Sequence, residues 1–289
     1  MSTANVGDHS WYHTIDLPDG TSTPGVFDHR SVANLVQWPV GLKGGRCLDV
    51  GTCDGFWAFE MERRGAAEVV AVDVVDQDQL DAWSSARGGV PGGTRAHGTV
   101  PGQRFEIART ATGSAVTRVG CSVYDLDPDI HGRFDVVFVG ALLLHLRDPV
   151  GALERVRAVC SGELVLMECV DARLDLVASR VPCARLAPVT DQWWRVNSAG
   201  LKQMLEIAGF DVVWVGRRVF TPFGTWSRRP PGAPARSRVQ SLAERALRRR
   251  PDAPVLARAA GLVRGGANLL PVRARPRSLP RPGAAPASS

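Results

Sequence analysis

Asp49, Gly51 and Gly55 stand in the run Leu48-Asp49-Val50-Gly51-Thr52-Cys53-Asp54-Gly55, and a second acid, Asp73, follows Gly51 by 22 residues. Glycines at this spacing let the backbone turn tightly and approach a ligand, just where a following helix presents free N–H groups and a positive dipole end. An acid at the end of the next apolar run can accept hydrogen bonds from two ribose hydroxyls. The pattern is acid-x-Gly-x-x-x-Gly, whereas a dinucleotide pyrophosphate requires the tighter Gly-x-Gly-x-x-Gly turn. A nucleoside without phosphates is therefore the better match, and Asp49 also suits ordering the loop itself. Three residues could take a proton: His145, His13 and Glu168. Each also has a structural reading, His145 as a brace, His13 as a packed residue and Glu168 as a hydrogen-bonded buried acid. Trp193 and Trp194 could stack a flat acceptor, but on an extended segment only one of them faces a pocket.

Positioning such groups requires strands that end beside one another. Strand-like runs fall at 46–50, 68–74, 115–119, 134–140 and 163–170, then at 211–215 and 219–223. Helical stretches separate them at 56–64, 104–112, 148–159 and 198–208. The strand runs are nearly continuously apolar rather than alternating, which marks a mostly parallel sheet covered on both faces. Strand–helix alternation then predicts a doubly wound α/β fold. Gly65 and Gly209 sit where glycine ends a helix. Two insertions interrupt the rhythm. One, at 75–103, is rich in Gly and Pro and reads as a long loop; the other, at 171–197, carries the two tryptophans.

Composition divides the chain further. Its 289 residues carry a formal charge of +6, but 14 arginines and only two acids, Glu244 and Asp252, fall within 227–289. Residues 1–226 are thus net acidic, so the main body offers no basic excess for a polyanion, and nucleic acid is a partner only through the basic tail. Three parts follow: an N-terminal substrate or lid segment at 1–45, a core at 46–226, and an Arg/Pro/Ala-rich tail at 227–289. The tail is expected to be largely disordered, with one basic helix at 239–249. Six cysteines form no CxxC pair and no metal spacing, so neither a disulfide nor a metal is expected. With no apolar run long enough to span a bilayer and no secretory signal, the expected location is cytoplasmic.

Asp49–Gly55 with Asp73 resembles the first two motifs of class I S-adenosylmethionine-dependent methyltransferases. The resemblance extends to Trp11-Tyr12-His13-Thr14-Ile15, Thr23-Pro24-Gly25, Ser122-Val123-Tyr124-Asp125-Leu126, Leu142-Leu143-Leu144-His145-Leu146-Arg147-Asp148-Pro149, Trp193-Trp194 with Asn197, and Ala208-Gly209-Phe210. Together these are similar to the group containing the bacterial tRNA wobble-uridine carboxymethyltransferase and shorter relatives. The resemblance covers roughly residues 11–224. It implies a seven-stranded sheet of order 3-2-1-4-5-7-6 with strand 7 antiparallel, and S-adenosylmethionine as cofactor. Asp49, Gly51 and Gly55 would hold the methionine end, Asp73 the ribose, Val74 and Ser122-Val123-Tyr124 the adenine side. Gly140 and Ala141 would lie beneath the transferred methyl. The activity expected is methyl transfer to a small molecule, aromatic or heterocyclic, in specialised metabolism, with modification of a tRNA wobble uridine as the alternative. In the tRNA-modifying relatives a Tyr precedes the His that aligns with His145; here that position is Leu144.

Overall fold

The computed structural model describes residues 6–75, 102–189, 192–222 and 266–278. Its elements are β1 (Trp11–His13), β2 (Gly25–Phe27), α1 (Arg30–Ala33), β3 (Arg46–Val50), α2 (Phe56–Arg63) and β4 (Glu68–Asp73). There follow α3 (Gln103–Thr112), β5 (Thr117–Gly120), α4 (Pro128–His131), β6 (Phe134–Gly140), α5 (Pro149–Val159) and β7 (Cys160–Cys169). The last are α6 (Ala172–Val177), β8 (Ala184–Val189), β9 (Gln192–Val196), α7 (Ser198–Ile207), β10 (Phe210–Val215), β11 (Val219–Pro222) and β12 (Gly266–Pro276).

The central sheet runs β10-β12-β7-β6-β3-β4-β5, with β11 paired to β12 beside this path. From β7 to β5 all neighbours are parallel, while β12 is antiparallel to β7, β10 and β11. The strands read as continuously apolar because each feeds two cores. Val137 and Val139 of β6 point into a cluster with Leu48, Leu153 and Leu201, whereas Val136 and Phe138 join one with Cys47, Trp57 and Phe105. This is the doubly wound α/β arrangement. Helix ends follow from local chemistry. Asp148 caps α5 by accepting from Gly151 N–H (2.8 Å), and Asn197 caps α7 by accepting from Gly200 N–H (2.7 Å). Gly65 and Gly209 lie just past α2 and α7 with φ of 94° and 84°.

The C-terminal expectation is corrected. Residues 266–276 are not a tail outside the fold but a strand of the central sheet, set between β7 and β10, with Leu269, Leu270, Val272 and Ala274 buried. The 219–223 run, expected to be the last sheet strand, supplies only β11, which pairs with the first half of β12. The physical reason is local. Arg-, Pro- and Ala-rich composition averages away the apolar stretch Leu269–Val272, and the neighbouring arginines find acids on adjacent strands. Arg273 and Arg275 both pair with the buried Glu163 of β7 (2.6 and 2.8 Å), and Arg277 with Asp211 of β10 (2.9 Å). The expected helix at 239–249 and most of the 75–103 loop lie outside the described residues. The 171–197 insertion is ordered into α6 and the β8–β9 hairpin.

Candidate active site

The sheet brings the C-terminal ends of β3, β4 and β6 together, and with them most of the residues singled out by sequence. Gly51 (φ 76°) and Gly55 (φ 96°) both take left-handed backbone, and a Cβ at Gly55 would stand 2.6 Å from the Phe59 ring, so only glycine fits. Gly55 precedes α2 without any side-chain cap, which leaves the first-turn N–H groups of that helix to other partners. Asp49 is buried, and its Oδ2 has no hydrogen-bond partner among the described residues. Burial pushes its carboxyl up to about 7, with the neighbouring Thr52 hydroxyl opposing the rise and the nearby Asp73 charge adding to it.

Asp73 ends β4 and ties the loop in place. Its Oδ2 accepts from Cys53 N–H (2.7 Å) and its Oδ1 from Val74 N–H (2.8 Å). Burial raises its carboxyl above the usual range, outweighing those two N–H groups and the Arg118 guanidinium. A carboxylate offers about four lone-pair positions, so two remain for further donors such as hydroxyls. The Ser122-Val123-Tyr124 turn is drawn to the same spot: Cys121 N–H donates to the Asp73 carbonyl (2.9 Å), and Ser122 Oγ accepts from Tyr124 N–H (3.3 Å).

At the exit of β6, Gly140 is followed by Ala141 in left-handed backbone (φ 47°). Glu168 on the adjacent β7 is buried and accepts from Leu143 N–H and Cys169 N–H, both at 2.7 Å. Burial pushes it up to about 7 although these backbone donors favour the charged form. His145 closes the short turn after Leu142 and is half-buried. A crevice of about 250 Å3, open solvent included, runs beside Leu143, Leu144, Glu168, Cys169 and Trp194. Alternation along β9 separates the two tryptophans. Trp194 borders the crevice and donates from Nε1 to the Arg147 carbonyl (3.2 Å), while Trp193 is buried under the Arg147 guanidinium, 4.9 Å from its ring centroid. Leu142 leans toward the Gly51–Gly55 loop: a Cβ at Gly51 would come 3.1 Å from its Cδ1.

His13 belongs to the β3 side of the site. The segment Trp11–His13 is held by Asp54, whose Oδ2 accepts from Tyr12 N–H (2.7 Å) and His13 N–H (3.0 Å). His13 is buried among Tyr12, His29 and Phe56. Burial lowers its pKa most, the Asp54 charge opposes this, and the Arg104 charge lowers it further. Asp54, Thr52, His29 and Arg104 escape sequence reasoning. Asp54 lies inside the glycine-rich run, yet nothing in its spacing shows that it grips backbone 41 residues away.

A cation with a ribose fits this cradle: a buried carboxyl at Asp49 with one oxygen unpartnered, spare acceptor positions at Asp73, and a helix start with no side-chain cap. Residues 29–215 match the family model described as methyltransferase domain. The chain belongs to that methyltransferase family. As a member, it is an S-adenosylmethionine-dependent methyltransferase. It is 30% identical over 173 residues to the tRNA U34 carboxymethyltransferase of Pseudomonas aeruginosa strain LESB58, which covers 59% of this chain and 46% of that protein. The chain thus spans about half the length of the curated relatives it matches. Among solved structures, the N-terminal domain of EvdMO1, determined with S-adenosylhomocysteine and D-fucose, superposes with a TM-score of 0.53 at 15% identity, covering 95% of both chains. The Burkholderia thailandensis 1,6-didemethyltoxoflavin-N1-methyltransferase, bound to 1,6-didemethyltoxoflavin and S-adenosylhomocysteine, gives 0.50 at 16% identity over 86% of this chain and 78% of that one. At these identities the two structures establish the methyltransferase fold. Among the described residues, no helix is long and apolar enough to cross a membrane.

Proposed function

We propose that this methyltransferase acts in the cytoplasm on a small-molecule acceptor, aromatic or heterocyclic, in specialised metabolism. The observation that carries this reading is the fate of the charge. Residues 1–226 are net acidic, and the three arginines of 266–278 are spent on Glu163 and Asp211 inside the sheet, leaving no built phosphate-binding face there. The cysteines, which form no disulfide among the described residues, suit a reducing compartment. When bound, S-adenosylmethionine supplies a methyl group already activated by a sulfonium leaving group. Asp49 would take the ammonium of its methionine end, with Gly51 and Gly55 admitting that end to backbone. Asp73 would accept from the ribose hydroxyls, and Val74 with Ser122-Val123-Tyr124 would border the adenine. Gly140 and Ala141 would lie beneath the reacting methyl.

The protein's remaining work is to align the acceptor, exclude water and remove a proton. Of the three candidate bases, His13 suits the last task best: burial keeps it neutral at pH 7, ready to accept. Glu168 already binds two backbone N–H groups and braces the β6 exit, and His145 sits in the turn that Glu168 holds. A second reading, tRNA wobble-uridine modification with a methyl or carboxymethyl group, draws on the 30% identity to the carboxymethyltransferase. Against a carboxylated donor stands Leu144, a buried apolar side chain with no hydrogen to donate. Transfer of labelled methyl into a cell extract, fractionated by size with and without ribonuclease, tests the reading. Label in small species is expected; ribonuclease-sensitive label in large species would overturn it.

A further inference from the structure

Two buried polar atoms face each other, without a hydrogen bond, where the donor loop meets the N-terminal segment. Asp54 is fully buried, and while its Oδ2 serves Tyr12 and His13 N–H, its Oδ1 has no hydrogen-bond partner among the described residues. The Nδ1 of His13 has none either, and the two atoms stand 3.6 Å apart. Leaving a buried polar atom unsatisfied is costly, and catalytic hydrogen bonds are often long until the ligands bind. The other charged or titratable groups near the ring are the Tyr12 phenol ring, 4.8 Å away, the Arg104 guanidinium, and His29, whose ring lies 5.2 Å away and whose own Nδ1 is unpartnered. Arg104 is directed elsewhere, donating to the Ser10 carbonyl (2.7 Å). His29 is held neutral, its pKa driven well down by burial and then by the neighbouring His13. Asp54 is therefore the group that can decide which nitrogen of a neutral His13 carries the proton.

We propose that Asp54 is a positioning residue that holds the His13 proton on Nδ1 and leaves the Nε2 lone pair to accept the proton an acceptor loses on methylation. The inference rests on the reading of His13 given above. The acceptor's attacking atom gains a bond to the methyl carbon as the carbon–sulfonium bond breaks, its electron pair staying on the sulfur of the departing S-adenosylhomocysteine, and the acceptor's own proton passes to Nε2. The imidazolium so formed stands against the Asp54 carboxylate, and its extra proton leaves to solvent once product departs. Because Asp54 lies in the same loop as Asp49 and Gly55, donor binding and base positioning share one short stretch of backbone.

Nitrogen-15 NMR of the imidazole in the full chain tests the pairing without any acceptor. Neutral His13 is expected as the Nδ1–H tautomer. In Asp54→Asn the carbonyl oxygen can still accept from Tyr12 and His13 N–H, while the amide presents N–H to Nδ1, so the tautomer should switch to Nε2–H. Calorimetric affinity for S-adenosylhomocysteine should be unchanged, and labelled methyl transfer into the small-molecule fraction should fall by about 100-fold or more. An Nε2–H tautomer in the unaltered chain, or full transfer by Asp54→Asn, overturns the proposal. The tautomer readout decides the pairing even if Asp54→Asn folds poorly, since it is made on the unaltered chain. Should that chain show Nδ1–H yet label only large, ribonuclease-sensitive species, the acceptor class falls and the pairing stands.

Discussion

Deleting β12 gives the sharpest test of the fold, because composition alone argues that the segment is dispensable. Truncation after Trp226 removes Leu269, Leu270, Val272 and Ala274, each at most 4% exposed, from the middle of the sheet. Burying each of the three larger side chains is worth about 1.5–3 kcal/mol, so their loss amounts to about 5–9 kcal/mol. A domain's whole stability is about 5–15 kcal/mol. The cut also strips β7 and β10 of their shared neighbour and leaves the buried Glu163 without Arg273 and Arg275. The truncated chain should therefore show no cooperative melting transition near that of the full chain by circular dichroism, and should aggregate through its exposed strand edges. Two point variants separate packing from bulk deletion. Leu270→Ala should cost about 2–5 kcal/mol in urea unfolding. Arg277→Ala, whose ion pair with Asp211 is half exposed on both sides, should change stability by less than about 0.5 kcal/mol. An unchanged melting temperature after truncation would refute the placement of β12.

Other consequences follow from the site. Asp49 titrates near 7 because burial disfavours its charge, so between pH 4 and 7 the folded chain holds a proton that the unfolded chain releases, and stability should fall as pH rises through that window. An ammonium placed beside Asp49 would favour the ionised form, so S-adenosylmethionine binding at pH 6 should release a proton, visible as a calorimetric enthalpy that varies with buffer; Asp49→Asn should abolish the variation. Asp73→Asn should weaken donor affinity by about 1.5–3 kcal/mol for each charge-assisted hydrogen bond lost, and Asp73→Ala by more, since Cys53 N–H also loses its acceptor; equal affinity in all three forms would count against the ribose assignment. Ordinary S-adenosylmethionine should bind more tightly than its carboxylated analogue, because a carboxylate against Leu144 would cost several kcal/mol without a donor, and Leu144→Tyr should narrow the gap. Tighter binding of the analogue to the unaltered chain would favour the tRNA reading.

The parallel half of the sheet was legible because its signals are local. Strands buried on both faces are apolar at nearly every position, and 46–50 and 134–140 coincide with β3 and β6. Helix ends behaved likewise, since Gly65 and Gly209 stand just past α2 and α7 in left-handed backbone. What stayed hidden depends on partners distant in sequence. Pro271 lies in mid-strand in β12, where proline ordinarily argues against a strand, and 43 residues outside the described set separate it from β11. Only the acids of β7 and β10, more than 60 residues earlier, show why an arginine-rich stretch can enter a sheet. Asp54 was hidden for the same reason: its value comes from Tyr12 and His13 backbone, not from its neighbours in the loop.

The two strained residues of the site have a common explanation. Among the described residues only Cys53 and Ala141 adopt left-handed backbone without being glycine, and they follow the neighbouring strands β3 and β6. Such conformations cost about 1–3 kcal/mol each and persist only where the surroundings over-determine them. In both cases the restraint is an acid at the end of the next strand outward, half-buried at Asp73 and buried at Glu168. Asp73 of β4 accepts from Cys53 N–H, and Glu168 of β7 accepts from Leu143 N–H, two residues past Ala141. Both acids are raised by burial, and both face backbone donors. The acids thus act as a pair of clamps on the two loops between which a donor would lie. On the function proposed above, Glu168 would serve as a brace rather than a base, since a carboxyl that holds two N–H groups is poorly placed to carry a proton away. This also explains why the base should come from outside the sheet, on the N-terminal segment that Asp54 fastens to the β3 loop.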